Sequence, residues 1–503
     1  MQQHPSIFND VIGPVMVGPS SSHTAASVRI GQLARQLAGG TPQGITFGFD
    51  AGGSLAETYS TQGVDMGLVA GIMGMPTYEP NMITVLQDAR AAGINFTFRV
   101  ADFGPGHPNT HHIEGVSVSG APFALKAVST GGGMIELIDY QGFALSSTCG
   151  FFEVLSPGFG ALPPLPEGVM GQILTRPDGA GMLHLCGAQP IPEGVWDGPE
   201  AVRLEPVLPV RSQLAPQVPF ETAAQALALA EGETLALWQL AARYESVRGG
   251  LTEAEVLGRM EELVALLAES LAAPPQREGE LLPRQAHRLS AVALPGGALT
   301  AGVTEYVTRF MEIKSGMGVY VAAPTGGACG CLPGAVFALA EALDFDRTAK
   351  ARAMLAGGLV GLFIASRSTF AAEVAGCQAE CGSGSGMAAA ACVELLGGTA
   401  RQGLDAASMA LQNILGMVCD PVAGRVEVPC LGKNILCAQG GLSSAHMALC
   451  GFDAVVPLDE TIAAMDEVGR SIPREFRCTG LGGLSVSPTS KALEARLAGG
   501  QGP

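Results

Sequence analysis

At 503 residues the chain is too long for one ordinary hydrophobic core, so two or three domains are expected. Hydrophobic residues make up 47% and charged ones 15%, with a mean hydropathy of +0.31, a composition that excludes a largely disordered chain. With 28 Lys and Arg against 46 Asp and Glu, the formal net charge of −18 argues against a nucleic-acid partner and leaves any anionic substrate to a local site.

The longest uncharged apolar run, 353–365, stops at Ser366 and Arg367, short of the roughly 20 residues that a membrane span needs; it predicts a buried helix and no membrane partner. The start, Met1-Gln2-Gln3-His4-Pro5, lacks a basic segment followed by an apolar core, so no secretory signal and a cytoplasmic location are expected. Of 12 cysteines, only Cys149 and Cys186 precede residue 329, a bias toward metal-binding or buried thiols rather than a disulfide framework.

In chain order, an apolar strand-like run over 11–18 leads into Pro19-Ser20-Ser21-Ser22-His23-Thr24 and then a helical pattern over 25–37. Hydroxyls and an imidazole ahead of a helix suit either simple N-capping or an anion cradle on unpaired first-turn amides. Alternation over 45–49 and 95–100 predicts strands, with a helix over 80–92 between them, which gives an α/β domain. Gly53-Ser54-Leu55-Ala56-Glu57-Thr58 lies between those elements, Gly106-His107-Pro108-Asn109-Thr110 falls beyond them with its His before Pro in a loop, and Gly131-Gly132-Gly133 predicts a hairpin turn before a strand over 134–138. Residues 156–217 are dense in Pro and Gly without sustained periodicity and read as an irregular module or linker.

Beyond Pro219 long helical patterns take over. Thr252 to Glu255 is a capping box followed by apolar residues at helical spacing, and Pro274-Pro275 is the expected stop. The loop from Ala322 to Gly334 carries glycines that would let a ligand approach the backbone. Helices over 347–365, 387–396 and 406–418 are rich in Ala and Gly, which permits close packing. The expected architecture is therefore an α/β N-terminal domain, 1–145, an irregular segment, 146–217, and a mainly α-helical C-terminal catalytic domain, 218–503.

Chemistry concentrates between Gly376 and Cys430. Cys377, Cys419 and Cys430 sit in Gly- and Pro-rich settings, separated by 41 and ten residues. That is not the clustered spacing of an electron-transfer ferredoxin. Three separated thiolates suit a cluster with one iron left open as a Lewis acid, but zinc and plain buried thiols are competing uses. Cys329, Cys331, Cys381, Cys392, Cys437 and Cys450 read as core thiols. Among the histidines, His111, His112, His184 and His287 read as surface or structural and His446 as a core histidine. Lys314, beside glycines, reads as a surface or substrate-carboxylate lysine, with a Schiff-base role as the rival.

The chain resembles the iron-sulfur-dependent L-serine dehydratases with the family's two parts fused. The resemblance runs over about 6–140, in the order of the β part, and about 225–495, in the order of the α part. It rests on Ile12-Gly13-Pro14, Gly18-Pro19-Ser20-Ser21-Ser22-His23-Thr24, His107-Pro108-Asn109-Thr110, Ala323-Pro324-Thr325, Gly376-Cys377-Gln378-Ala379-Glu380, Cys419-Asp420-Pro421-Val422-Ala423-Gly424, Val428-Pro429-Cys430 and Leu481-Gly482-Gly483-Leu484. It implies a 4Fe-4S cluster on Cys377, Cys419 and Cys430, and conversion of L-serine to pyruvate and ammonia. It further implies catalytic roles for His23 and His107, substrate contacts from Ser20, Ser21, Ser22, Thr24, Asn109 and Thr325, and a homodimer acting on a small amino acid. L-Threonine or L-cysteine as substrate, and a non-catalytic amino-acid-binding protein, are the alternatives. Gln62 stands where relatives carry a histidine, residues 145–217 show no trace of a regulatory ACT module, and the tail lacks the terminal cysteine of some relatives.

Overall fold

The computed structural model describes residues 4–104, 106–273, 276–293 and 297–499. It divides into two compact units, one of Ser22–Pro216 and one joining Met1–Ser21 to Gln217–Pro503.

In the first unit, a six-stranded sheet runs in the order Asn95–Ala101, Gly44–Asp50, Thr110–Val116, Pro122–Gly131, Met134–Tyr140, Phe143–Ser147. The first two strands are parallel and the remaining pairs antiparallel. Phe47, Phe49, Leu125 and Leu137 point into a core shared with Val28 and Leu33 of the helix Ala26–Leu37 and Leu68 of the helix Val64–Ile72. These two helices touch backbone to backbone. A Cβ on Gly71 would lie 2.2 Å from the Val28 carbonyl oxygen and 2.7 Å from the Gly31 Cα, so only glycine fits there.

Residues 152–204 are not irregular. They form a four-stranded antiparallel sheet in the order Val202–Leu204, Phe152–Pro157, Gly181–Gly187, Val169–Thr175. The central strand is buried almost throughout, so it lacks the alternation of a half-exposed strand. The polar residues that interrupt its apolar pattern are themselves buried: His184 Nε2 pairs with the Glu153 carboxylate at 2.7 Å.

The second unit is helical, as expected from its periodicity. Its most buried element is Cys381–Leu395, packed against Arg347–Arg367, Ala400–Gln412 and Cys430–Leu449. Glycines inside a helix cost about 1 kcal/mol each relative to alanine. Here they are offset by contact: a Cβ on Gly441 would lie 2.8 Å from the Ser385 carbonyl oxygen, and one on Gly357 equally close to that of Met387. Arg347–Arg367 is, among the described residues, the one helix long and apolar enough to cross a membrane, and its middle is packed inside this unit. The Thr252 capping box forms as read, with Glu255 N–H donating to Thr252 Oγ1 at 3.2 Å and Thr252 N–H to Glu255 Oε2 at 2.7 Å. Its helix ends at Ala272; Pro274 and Pro275 lie outside the described residues, as do Met1 to Gln3 and Gly500 to Pro503.

The first residues belong to this helical unit. The run over 11–18 is not one strand: Ile7–Val11 forms a π turn, and only Val15–Met16 is extended, pairing antiparallel with Tyr320–Val321. Upstream, Glu245 anchors the segment, accepting from Ser6 Oγ at 2.7 Å and Ile7 N–H at 2.8 Å while paired with Arg248 at 2.7 Å.

Candidate functional site

The predicted site residues fall into two polar groups, one in each unit.

In the unit of Ser22–Pro216, Ser22, His23 and Thr24 lie at the entry to Ala26–Leu37 and are buried. His23 is held at both ring nitrogens, Nδ1 by Ser22 Oγ at 3.0 Å and Nε2 by Thr58 Oγ1 at 3.1 Å. The Thr58 hydroxyl spends its proton on the Ser54 carbonyl at 2.8 Å, so His23 Nε2 must be the donor toward Thr58. That leaves the Nδ1 lone pair facing Ser22. Thr24 Oγ1 donates to the Gln62 carbonyl at 2.9 Å, which places Gln62, the departure from the family histidine, beside this group.

Asn109 and His107 share the neighbouring loop. His107 is half-buried, its Nδ1 accepting from Asn109 N–H at 3.2 Å, whereas the Asn109 side chain is fully buried. The Asn109 carbonyl faces His111 Nδ1 at 3.1 Å. Burial first, and the neighbouring His23 and His112 after it, push His111 down to about 3; its own bond to Asn109 acts in the opposite direction. Asp65, on the helix beyond Gln62, is pushed up to about 6 by burial.

A pH dependence follows from His111. Folded, it stays neutral down to about pH 3, whereas the unfolded chain protonates near the ordinary 6.5. Its contribution is therefore intact above pH 6.5 and is lost as pH falls from 6.5 toward 3, by up to about 1.4 kcal/mol per unit. His111→Gln is expected to flatten the stability profile of this unit between pH 6.5 and 5, read by urea denaturation; an unchanged slope would refute the assignment.

In the helical unit, Ser20 and Ser21 are buried, and Ser21 Oγ accepts from Gly326 N–H at 2.9 Å. Thr325, one residue earlier, donates from Oγ1 to Glu380 Oε1 at 2.7 Å. Burial first, then the Cys377 charge, pushes Glu380 up to about 8, so the carboxyl is largely protonated at neutral pH. Gly327 leaves room for this side chain, since a Cβ there would meet the Glu380 carboxylate at 2.9 Å. Glu380 was quoted in a motif but given no role; only its burial reveals it.

Cys377, Cys419 and Cys430 are all buried thiols on separate elements: Cys377 opens the turn Cys377–Ala379, Cys430 begins the helix Cys430–Leu449, and Cys419 lies between. A hydrogen bond from Cys381 lowers Cys377 to about 7 against the opposing effect of burial, with help from Lys433. The Cys377 charge is felt at both Cys419 and Cys430, whose thiols are pushed well up, Cys419 by its bond to Cys478 first and Cys430 by burial first. Cys419 is fixed by its backbone, N–H to the Phe476 carbonyl at 2.8 Å and carbonyl to Cys478 N–H at 2.9 Å. Lys433 spans Val418 O at 2.6 Å and Asp420 Oδ1 at 3.0 Å, putting a cation beside the thiols.

Three sequence readings need correction. Lys314 is not a surface lysine: it is buried and donates to the Val426 carbonyl, its charge felt at Cys430 and Cys329. His446 is exposed on its helix rather than in the core, and Cys450 is likewise exposed. Both lie on the Cys430–Leu449 helix or its end, where abundant small residues blur which face is buried.

The helical unit thus brings buried thiols on three elements together with the buried carboxyl of Glu380. Comparison with known proteins is more specific. The family model for the serine dehydratase alpha chain matches residues 231–485. The chain is 41% identical over 222 residues to the probable L-serine dehydratase alpha chain of Bacillus subtilis (strain 168), covering 44% of this chain and 74% of that one. It is 44% identical over 188 residues to the corresponding protein of Latilactobacillus sakei, covering 37% of this chain and 90% of that one. A third match, 45% over 140 residues, is to the probable L-serine dehydratase beta chain of B. subtilis, covering 28% of this chain and 62% of that one. The chain belongs to the serine dehydratase alpha chain family.

Proposed function

We propose that this chain is an L-serine ammonia-lyase that converts L-serine to pyruvate and ammonia, with α- and β-type parts in one polypeptide. The observation that carries the reading is the set of buried, electrostatically linked thiols of Cys377, Cys419 and Cys430 in a chain of this family. Among the described residues no three His, Cys, Asp or Glu side chains converge closely enough to chelate a single ion. What supports the reading is three buried thiols on separate elements with the cations of Lys433 and Lys314 nearby to offset negative charge.

Cys377, Cys419 and Cys430 would hold a 4Fe-4S cluster, which supplies Lewis-acid assistance to the departure of a poor leaving group, hydroxide. The remaining chemistry belongs to side chains. His23 Nδ1, left as the acceptor nitrogen by the Thr58 contact at Nε2 and facing Ser22 Oγ, is the atom assigned to accept the α-proton, with His107 as the second proton-transfer group. Glu380 keeps a proton on its carboxyl, oriented by Thr325. Ser20, Ser21, Ser22, Thr24, Asn109 and Thr325 supply neutral hydrogen-bonding groups for a zwitterionic amino acid. The enzyme works in the cytoplasm as a homodimer, degrading an amino acid to pyruvate that can enter gluconeogenesis. Anaerobic purification tests the reading: a brown protein whose visible absorbance bleaches in air and which forms pyruvate from L-serine is expected. A colourless, iron-free protein that still turns over serine would overturn it.

A further inference from the structure

Among the described residues of the unit Ser22–Pro216, two buried polar side chains have no hydrogen-bond partner. Neither Oδ1 nor Nδ2 of Asn109 is satisfied, although the residue is fully buried, and Ser54 Oγ is equally orphaned. Buried polar groups are nearly always paired, and an unpaired one costs folding free energy, so two on adjoining loops require a reason. The orphaned serines of the helical unit, Ser383, Ser385 and Ser444, lie inside helices, where a hydroxyl can turn toward its own backbone; Ser54 and Asn109 do not.

The two loops are locked together. Ser54 N–H donates to the Pro108 carbonyl at 3.0 Å, and a Cβ on Gly53 would lie 2.8 Å from that same oxygen, so residue 53 must be glycine for the loops to close. The pair is also tied to His23: Thr58 Oγ1 donates to the Ser54 carbonyl and pairs with the imidazole at Nε2. The backbone that carries Ser54 is thus bonded, through Thr58, to the proposed base.

We propose that Ser54 and Asn109 form the subsite for the α-carboxylate of the amino-acid substrate. The inference rests on the dehydratase reading and adds Ser54, which the sequence stretch over 53–58 contains but to which it gave no role. An amide N–H and a hydroxyl can both donate at once, matching the two oxygens of a carboxylate without a buried cation. A carboxylate held there brings the attached α-carbon toward His23, where its proton must be taken.

The test uses the holoenzyme, with L-alanine as an unreactive ligand that carries the carboxylate and ethanolamine as one that lacks it. Ser54→Ala is expected to raise the KM for L-serine and the Ki of L-alanine about tenfold, with kcat changed far less. Asn109→Asp, which sets like charge against the carboxylate, is expected to raise both about a hundredfold while ethanolamine binding stays within about twofold. The ligand-free Ser54→Ala protein should melt no lower than wild type, because the lost hydroxyl had no partner, which separates a binding defect from misfolding. An unchanged KM, or equal weakening of ethanolamine, would overturn the assignment. Absence of pyruvate from the wild-type protein would instead sink the dehydratase reading, and thermal shifts with L-alanine would still test the subsite.

Discussion

Cys419→Ala is expected to give a folded but colourless protein, with iron and acid-labile sulfide at background and pyruvate formation from L-serine reduced by at least about a thousandfold. Lewis-acid assistance to a leaving group is worth several kcal/mol, and each 1.36 kcal/mol is tenfold in rate. The structure explains why no other residue should compensate. The Cys419 backbone is clamped on both sides, to Phe476 O at 2.8 Å and Cys478 N at 2.9 Å, so the chain cannot slide to offer a substitute ligand from the same segment. Removal of one sulfur from a buried position costs little of the fold, so far-ultraviolet circular dichroism should be unchanged. Cys478, hydrogen-bonded to the Cys419 thiol, is the nearest alternative sulfur, and the double variant Cys419→Ala, Cys478→Ser controls for it. Retention of iron and turnover in that double variant would refute the proposed ligand set.

Glu245→Ala is the second large effect. Glu245 and Arg248 are both buried and paired at 2.7 Å, and the same carboxylate accepts from Ser6 Oγ and Ile7 N–H. Removal of the carboxylate breaks a buried ion pair, a change that typically costs about 3–5 kcal/mol. The apparent stability of the helical unit, read from urea denaturation, should fall by that amount. Function should follow, because the released segment carries the Val15–Met16 strand and, a few residues on, Ser21 with its bond to Gly326. A rise in KM larger than the fall in kcat is expected, and Glu245→Gln should lie between the two proteins. A stability change within about 1 kcal/mol would show that the segment is held by its apolar contacts alone.

Much of the fold was legible because period and punctuation survive without neighbours. The strands Gly44–Asp50 and Asn95–Ala101, the hairpin at Gly131 to Gly133 and the helix begun by Thr252 all follow from local pattern and capping. The sheet over 152–204 was not legible, because its strand Gly181–Gly187 is buried on both faces and its His184 pairs with Glu153 of the neighbouring strand, a polarity that reads as loop until the two side chains are seen to meet. In the candidate site, motifs named the thiols, the serine-rich turn and Asn109. They gave no role to Glu380 or Ser54, because the feature that marks each is burial, supplied by residues far away in the chain.

By itself, the sequence determined the class of architecture, an α/β part followed by a helical part, and the residue types available for chemistry, since both are written in short-range periodicity and motif. Tertiary structure alone decided that residues 1–21 join the helical unit, that Lys314 is buried against a carbonyl, and that Glu380 holds its proton at neutral pH. Each of these depends on desolvation or on pairing across hundreds of residues. Such energies are properties of the folded surroundings, and no local stretch of sequence contains them.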